Sequence, residues 1–289
     1  MTVDLANKKA LRKKRLTNLS LFILMVAIAI VLIFPYVFMV SKSLMDSVEV
    51  INPIVQLFPK KPQYTNYVDL FTESDYLKAT LNSIIVVSFN IIVVPLSASL
   101  IAFSFAKLEW KGKKFMFAFM MSTMMLPGIV TQIPLYVMYS KIGWLDTLKP
   151  LMIPNLFGGG AIYIFLLRQF MRAIPKDLEE AAKIDGAGTF RIYWQIILPL
   201  CKPVLIYIIV TVFIANWGDY YGPLVFMSSS EAPRTLPYLI FLQSTDVNAA
   251  ANMVHMRMAG SVFLTIVPII LFSIFQKHLI EGIVMTGIK

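Results

Sequence analysis

Residues 175–203 read PKDLEEAAKIDGAGTFRIYWQIILPLCKP, a charged stretch set between two apolar blocks long enough to cross a bilayer. Asp177 is placed to cap a helix, with Glu180 three residues on at capping-box spacing. Leu178, Ala181 and Ala182 give that short helix one small, apolar face. Gly186 is expected to end it, because glycine adopts the left-handed conformation at a helix C-terminus without steric cost. Thr189 is placed to cap a second helix. There Phe190, Tyr193, Trp194 and Ile197 fall at i, i+3, i+4 and i+7, an amphipathic pattern suited to a membrane interface. Pro199 and Pro203 then redirect the chain. The first helix is too short to be stable alone. Its pattern fits docking into the groove of another protein; it also fits a well-capped loop with no partner.

The flanking blocks set the class of the whole chain. Of its 289 residues, 58% are hydrophobic, against 45–50% in a typical soluble domain, and the mean hydropathy is +0.73. Apolar blocks recur at about 21–40, 81–106, 115–139, 151–167, 203–226 and 260–275. They predict an all-α integral membrane protein with six transmembrane helices. The net charge of +10 is unevenly placed: 18 of the 26 Lys and Arg residues fall before the first block, in alternate inter-block segments, or after the last. Lys and Arg accumulate on the cytoplasmic side of membrane helices, so both termini and the 175–203 stretch are expected there. The basic excess is thereby a topology signal, and no nucleic-acid partner is expected. The first block is longer than a signal-peptide core and lacks a small-x-small site after it, so it reads as a retained helix.

The expected organisation is a basic cytoplasmic N-terminus over 1–18, a six-helix membrane domain over 19–276 that includes a cytoplasmic loop at 175–200, and a cytoplasmic tail over 277–289. The external segment 41–80 is the longest loop and is expected to be partly ordered. In the third external loop the apolar stretch 236–242 is expected along the membrane surface. The single cysteine, Cys201, excludes an internal disulfide and reads as inert packing.

Several chemistries lack their residues. No G-x-x-x-x-G-K-[ST] loop exists; the one Gly-Lys pair, Gly112-Lys113, has Lys107 where the first glycine belongs. The two histidines, His255 and His278, have no Cys or acid at zinc-ligand spacing. No G-x-S-x-G elbow is present. An enzyme is not expected, nor a metal or cofactor on this chain.

The run EAAKIDGAGTFRIYWQIILPLCKP resembles the EAA loop of ABC-importer permeases, with Glu180, Ala181, Ala182, Asp185, Gly186, Ala187, Leu198 and Pro199 all at the family's spacing. The likeness covers roughly residues 20–289. LFPKKPQYTNYVDLF, LNSIIV, MMLPGIVTQIPLY, FLLRQFMRAIPKDLEEAA, NWGDYYGPLVF and the tail GIVMTGIK are similar to the carbohydrate-importer branch. Gly218 departs from that branch, which often has Asn after the Trp. The resemblance implies a type I (MetI-like) permease core. It implies that Glu180, Ala181, Ala182, Asp185, Gly186 and Ala187 couple the chain to ATPase subunits. It further implies a homologous permease partner in a heterodimer, two ATP-binding subunits that use ATP and Mg, and an extracytoplasmic solute-binding protein. The expected function is the transmembrane subunit of an ATP-driven importer for a sugar or oligosaccharide. Alternatives are a permease of the same superfamily for peptides or amino acids, and a stand-alone secondary carrier. The last needs paired charges near the midplane, which the sequence does not offer.

Polar residues inside the apolar blocks are candidates for the substrate path: Asn90, Thr131, Gln132, Asn216, Trp217, Asp219, Tyr220 and Tyr221. Each of Asn90, Thr131, Gln132 and Asn155 either lines a path or bonds a neighbouring helix. Asp219 lies about 24 Å along the fifth block from Pro203, near its outer end. It reads either as a hydroxyl-binding acid flanked by aromatic stacking faces or as a solvated acid in an interfacial aromatic belt. Gly218 and Gly222 allow a close helix approach or, with Pro223, a helix end. Pro127, Gly128 and Pro134 interrupt the third block, and Gly158, Gly159 and Gly160 the fourth; both breaks serve either as hinges or as sites of tight packing.

Overall fold

The computed structural model describes residues 2–52, 56–72, 74–245 and 253–287; Pro53, the last two residues of the tail, and the side chains of residues 2–13 and 277–287 lie outside that description. Among the described residues all regular structure is helical. The principal helices are α1 (Thr2–Ser43), α2 (Ser74–Lys107), α3 (Lys113–Ser122), α4 (Gly128–Lys141), α5 (Ala161–Ala173), α6 (Asp177–Ile184), α7 (Lys202–Trp217), α8 (Tyr221–Phe226), α9 (Leu236–Thr245) and α10 (Val254–Gly287). Four segments are long and apolar enough to cross a membrane: Lys14–Ser43, Asp75–Lys107, Lys149–Ala173 and Val254–Gln276. Two further pairs pass together but are bent, by 102° between Lys113–Met125 and Gly128–Lys141 and by 75° between Thr189–Leu200 and Lys202–Trp217. Among the described residues the chain thus offers four candidate membrane spans, or up to six if each bent pair is one.

The break at Pro127 and the interruption at Gly158–Gly160 have local causes. Pro127 bars its predecessor from the helical region, and Leu126 is extended at φ −78°, ψ 120°. Gly158, Gly159 and Gly160 all have positive φ, and they separate α5 from the 3-10 turn Ile153–Phe157. A Cβ on Gly159 would lie 2.5 Å from Cγ1 of Val94, so α2 approaches this turn as closely as glycine permits. The fifth apolar block was expected to run to Phe226, but α7 stops at Trp217 and α8 begins at Tyr221. Gly218 marks the helix end, whereas Gly222 allows a close approach, since a Cβ there would lie 3.0 Å from Cδ2 of Leu151.

Two compact units divide the chain. In the first (residues 1–70 and 246–262), the segment after α1 folds back on itself. Asn66 Nδ2 donates to the carbonyls of Ser43 and Met45 at 2.8 and 2.9 Å, and the Ser43 and Tyr67 hydroxyls are 2.6 Å apart. Asp46 caps the turn Ser47–Val50 through the Val48 and Glu49 amides. In the second (residues 71–245 and 263–289), α2 packs against α5 and α7. Ala98 and Ala102, four residues apart and fully buried, let the backbones approach. Ile164, Leu167, Met171, Ile208 and Val212 fill the core around them.

The stretch 236–242 opens α9 and packs inward over its first residues. Leu236, Tyr238 and Leu239 of α9 are buried, and the Leu236 amide donates to Ser83 Oγ at 2.9 Å. Inward packing of one part of a short apolar run is not readable from its periodicity alone.

Candidate functional site

The charged loop forms helix, turn and helix, with different caps from those expected. Lys176 already has helical backbone angles and α6 begins at Asp177, which therefore stands in the first turn and does not cap it. Asp177, Glu179 and Glu180 together place three carboxylates at the N-terminal end, where the helix dipole favours them. The C-terminus follows the sequence reading closely. Gly186 is left-handed at φ +78°. The Ala187 amide donates to the Ala182 carbonyl at 2.9 Å and the Gly186 amide to Lys183 at 3.0 Å. This is the Schellman pattern. Ala182 and Ala187 both pack on the core of α2, α5 and α7.

The expected single face of Leu178, Ala181 and Ala182 is split. Ala182 and Glu179 turn inward, while Leu178, Ala181, Glu180, Ile184 and Asp185 are exposed. Ile184 is 86% exposed.

Gly188, not Thr189, takes the capping position of the next helix. That helix widens into a π-turn at Tyr193–Ile197. The extra residue rotates the register, so the expected apolar stripe divides. Phe190 and Trp194 stack outward at 6.4 Å, whereas Ile192, Tyr193 and Ile197 are buried. Tyr193 meets the Ser99 hydroxyl of α2 at 2.8 Å, and Cys201 is fully buried at the bend that follows.

Two cations tie this region together. The Lys107 ammonium, at the end of α2, lies 2.5 Å from Glu179 Oε1 and donates to the Ile174 carbonyl at 3.0 Å. The Arg168 guanidinium sits 3.9 Å over the Phe117 ring and donates to the Phe105 carbonyl at 3.3 Å.

The path candidates fall into two groups. Asn90 is fully buried: its Nδ2 donates to Asn216 Oδ1 at 2.6 Å and to the Leu151 carbonyl at 3.0 Å, and its Oδ1 accepts from Asn155 at 3.1 Å. Asn216 also donates to the Val212 carbonyl at 2.8 Å. Trp217 is buried against Phe213 and donates to the Leu264 carbonyl at 2.8 Å. These three side chains are engaged in joining helices. The other five lie at or near the surface. Tyr221 donates to Gln132 Oε1 at 2.9 Å, which brings α4 and α8 together, and Thr131 lies beside Gln132 on α4. Tyr220 stacks on Phe241 at 4.8 Å. Asp219 Oδ1 accepts from the Tyr221 and Gly222 amides at 3.0 and 2.9 Å and so caps α8. A cavity of about 470 Å³ between Phe89, Leu148, Met152, Ile153 and Pro233 includes none of them.

Residues 96–284 match the family described as the binding-protein-dependent transport system inner membrane component. The chain belongs to that family. It is accordingly a membrane permease component and not an enzyme. A probable ABC transporter permease protein of Pyrococcus horikoshii is 32% identical over 266 residues, covering 89% of this chain and 93% of that protein. The trehalose/maltose transport system permease protein MalG of Thermococcus litoralis is 30% identical over 286 residues, covering 96% and 99%. Among solved structures, a chain of a bacterial ABC transporter involved in the import of the acidic polysaccharide alginate superposes with a TM-score of 0.76 at 22% identity, over 92% of this chain and 97% of that one.

In this permease the sequence reading missed Lys107, Glu179 and Arg168 as structural partners. Lys107 entered only in the basic count and as the residue in place of a phosphate-loop glycine, Arg168 only in that count and as part of the motif FLLRQFMRAIPKDLEEAA, and Glu179 was passed over for its neighbour Glu180. A signal existed for Lys107, a lysine closing a 34-residue helix directly after the apolar run FSFA. Such a position lets the stem cover apolar surface while the ammonium reaches a partner.

Proposed function

We propose that this permease forms half of the translocation path of an ATP-driven, binding-protein-dependent importer for a sugar or oligosaccharide. In this reading each bent helix pair is one span, which makes six, and both termini are cytoplasmic. Two partner ATP-binding subunits bind ATP and Mg and engage the loop around Glu180, Ala181, Ala182, Asp185, Gly186 and Ala187. A homologous permease supplies the other half of the path, and a solute-binding protein delivers substrate from the outer face.

The observation that carries the reading is the outward face of α6. Ile184, Leu178 and Phe190 stand exposed on an otherwise polar segment, while Ala182 and Ala187 hold its back to the core. An apolar tip on a rigidly capped helix gains free energy when a partner's groove removes it from water. Thr131, Gln132, Asp219, Tyr220 and Tyr221 offer aromatic faces beside hydroxyl, amide and carboxylate groups, a mixture that suits a neutral polyhydroxyl solute. Its kinship with a trehalose/maltose permease supports the same solute class.

The test is uptake by the complete transporter in proteoliposomes. The double variant Gly186→Asp with Glu180→Lys is expected to abolish ATP-dependent uptake; normal uptake would overturn coupling through this loop. Competition by sugars and not by peptides is expected, and the reverse would reassign the solute.

A further inference from the structure

Three elements converge on one ammonium group. Lys107 is the last residue of α2, Ile174 ends α5, and Glu179 stands in the first turn of α6. The Ile174 carbonyl belongs to the residue that caps α5, and Lys107 supplies it with a charged donor. The ion pair is largely removed from solvent, with the Lys107 and Glu179 side chains 7% and 12% exposed. Among the described residues it is also the only side-chain hydrogen bond or ion pair that α6 makes to another helix. Ala182 of α6, and Ala187 just beyond its end, pack on the core through side chains of a single methyl group. A short, shielded charge pair resists sliding, because separating the charges exposes both to a poorly solvating environment.

We infer that Lys107 is a positioning residue of the coupling machinery: through Glu179 it makes α6 and the cytoplasmic end of α2 move as one body. A displacement of α6 is then transmitted along α2, whose Asn90 joins Asn155 and α7 further into the membrane. This inference rests on the proposed function and assigns roles to two residues outside the EAA pattern. Glu180, one position on, is exposed and free to face a partner; Glu179 faces inward.

The experiment uses the complete transporter in proteoliposomes with its solute-binding protein, and measures solute imported per ATP hydrolysed. Lys107→Gln and Glu179→Gln are expected to co-purify with the ATPase and hydrolyse ATP, while import per ATP falls about tenfold. Lys107→Arg keeps the charge and is expected to stay within about twofold of wild type. The exchange variant, Lys107→Glu with Glu179→Lys, is expected to recover most of the ratio. A merely structural role would lower assembly and leave the ratio of the assembled complex unchanged, which would overturn the inference. An exchange variant that assembles but stays uncoupled would also overturn it. If neither glutamine variant assembles, the exchange variant decides: restored coupling supports the link, and failure to assemble or couple removes it. A wild-type chain that binds no ATPase would instead bring down the proposed function.

Discussion

Gly159 shows how a single residue sets the helix spacing. Its φ is +62°, and an added Cβ would meet both methyl carbons of Val94 within 3 Å. Val94 is buried and β-branched, so it has little room to turn away. Gly159→Ala should destabilise the protein by about 1–3 kcal/mol, read as a lower melting temperature in detergent. Val94→Ala in the same chain should restore part of the loss and leave the backbone penalty of about 1 kcal/mol. The asparagines supply a contrast. Asn90→Leu removes the partner of both Asn216 and Asn155 and should cost about 1–3 kcal/mol of stability. Tyr221→Phe removes one exposed hydrogen bond and should change stability by no more than about 0.5 kcal/mol. If Tyr221 lines the path, its variant should instead show a raised KM for uptake, so the two substitutions separate scaffold from path by which measurement moves.

At the scale of the element, α6 is an eight-residue helix that could not stand alone. Its inner side is held by Lys107, Ala182 and the Schellman turn, and its outer side is exposed among the described residues. Ile184→Glu changes only that outer side. Thermal stability of the isolated permease should shift by less than about 0.5 kcal/mol, while retention of the ATPase during purification should fall severalfold. An unchanged complex would show that Ile184 is not part of the docking face. The neighbouring helix teaches the limit of periodicity. Phe190, Tyr193, Trp194 and Ile197 fit one stripe of an ideal helix, yet the π-turn at Tyr193–Ile197 sends two outward and two inward. The hydroxyl contact of Tyr193 with Ser99 joins residues 94 apart in the chain, and no local pattern encodes it.

For the whole molecule, the charge distribution makes a directional forecast. With Cys201 replaced by Ser, single cysteines at Lys14 or Lys113 should react with a membrane-impermeant reagent only from the cytoplasmic side, and cysteines at Lys60 or Glu231 only from outside. Cys201 is fully buried, so its replacement removes a weak background and no exposed contact. Labelling of Lys60 and Lys113 from the same side would refute the six-span topology.

Composition sufficed for the class of this protein, because a bilayer demands long apolar helices. The end of the helix in the 175–200 loop was legible at Gly186, because a left-handed cap is a property of one residue and its immediate neighbours. Three features depended on the tertiary structure. Where helices break was legible at Pro127 and at the Gly158–Gly160 run, but the bend of 102° was not, since packing sets the angle once proline has removed the straight alternative. Which polar residues sit in the core and which lie near the surface also required the fold, since Asn90 and Gln132 both stand inside apolar blocks and differ in what surrounds them. The pairing of Lys107 with Glu179 crosses 72 residues, and such contacts arise when helix packing brings two charges into one poorly solvated place.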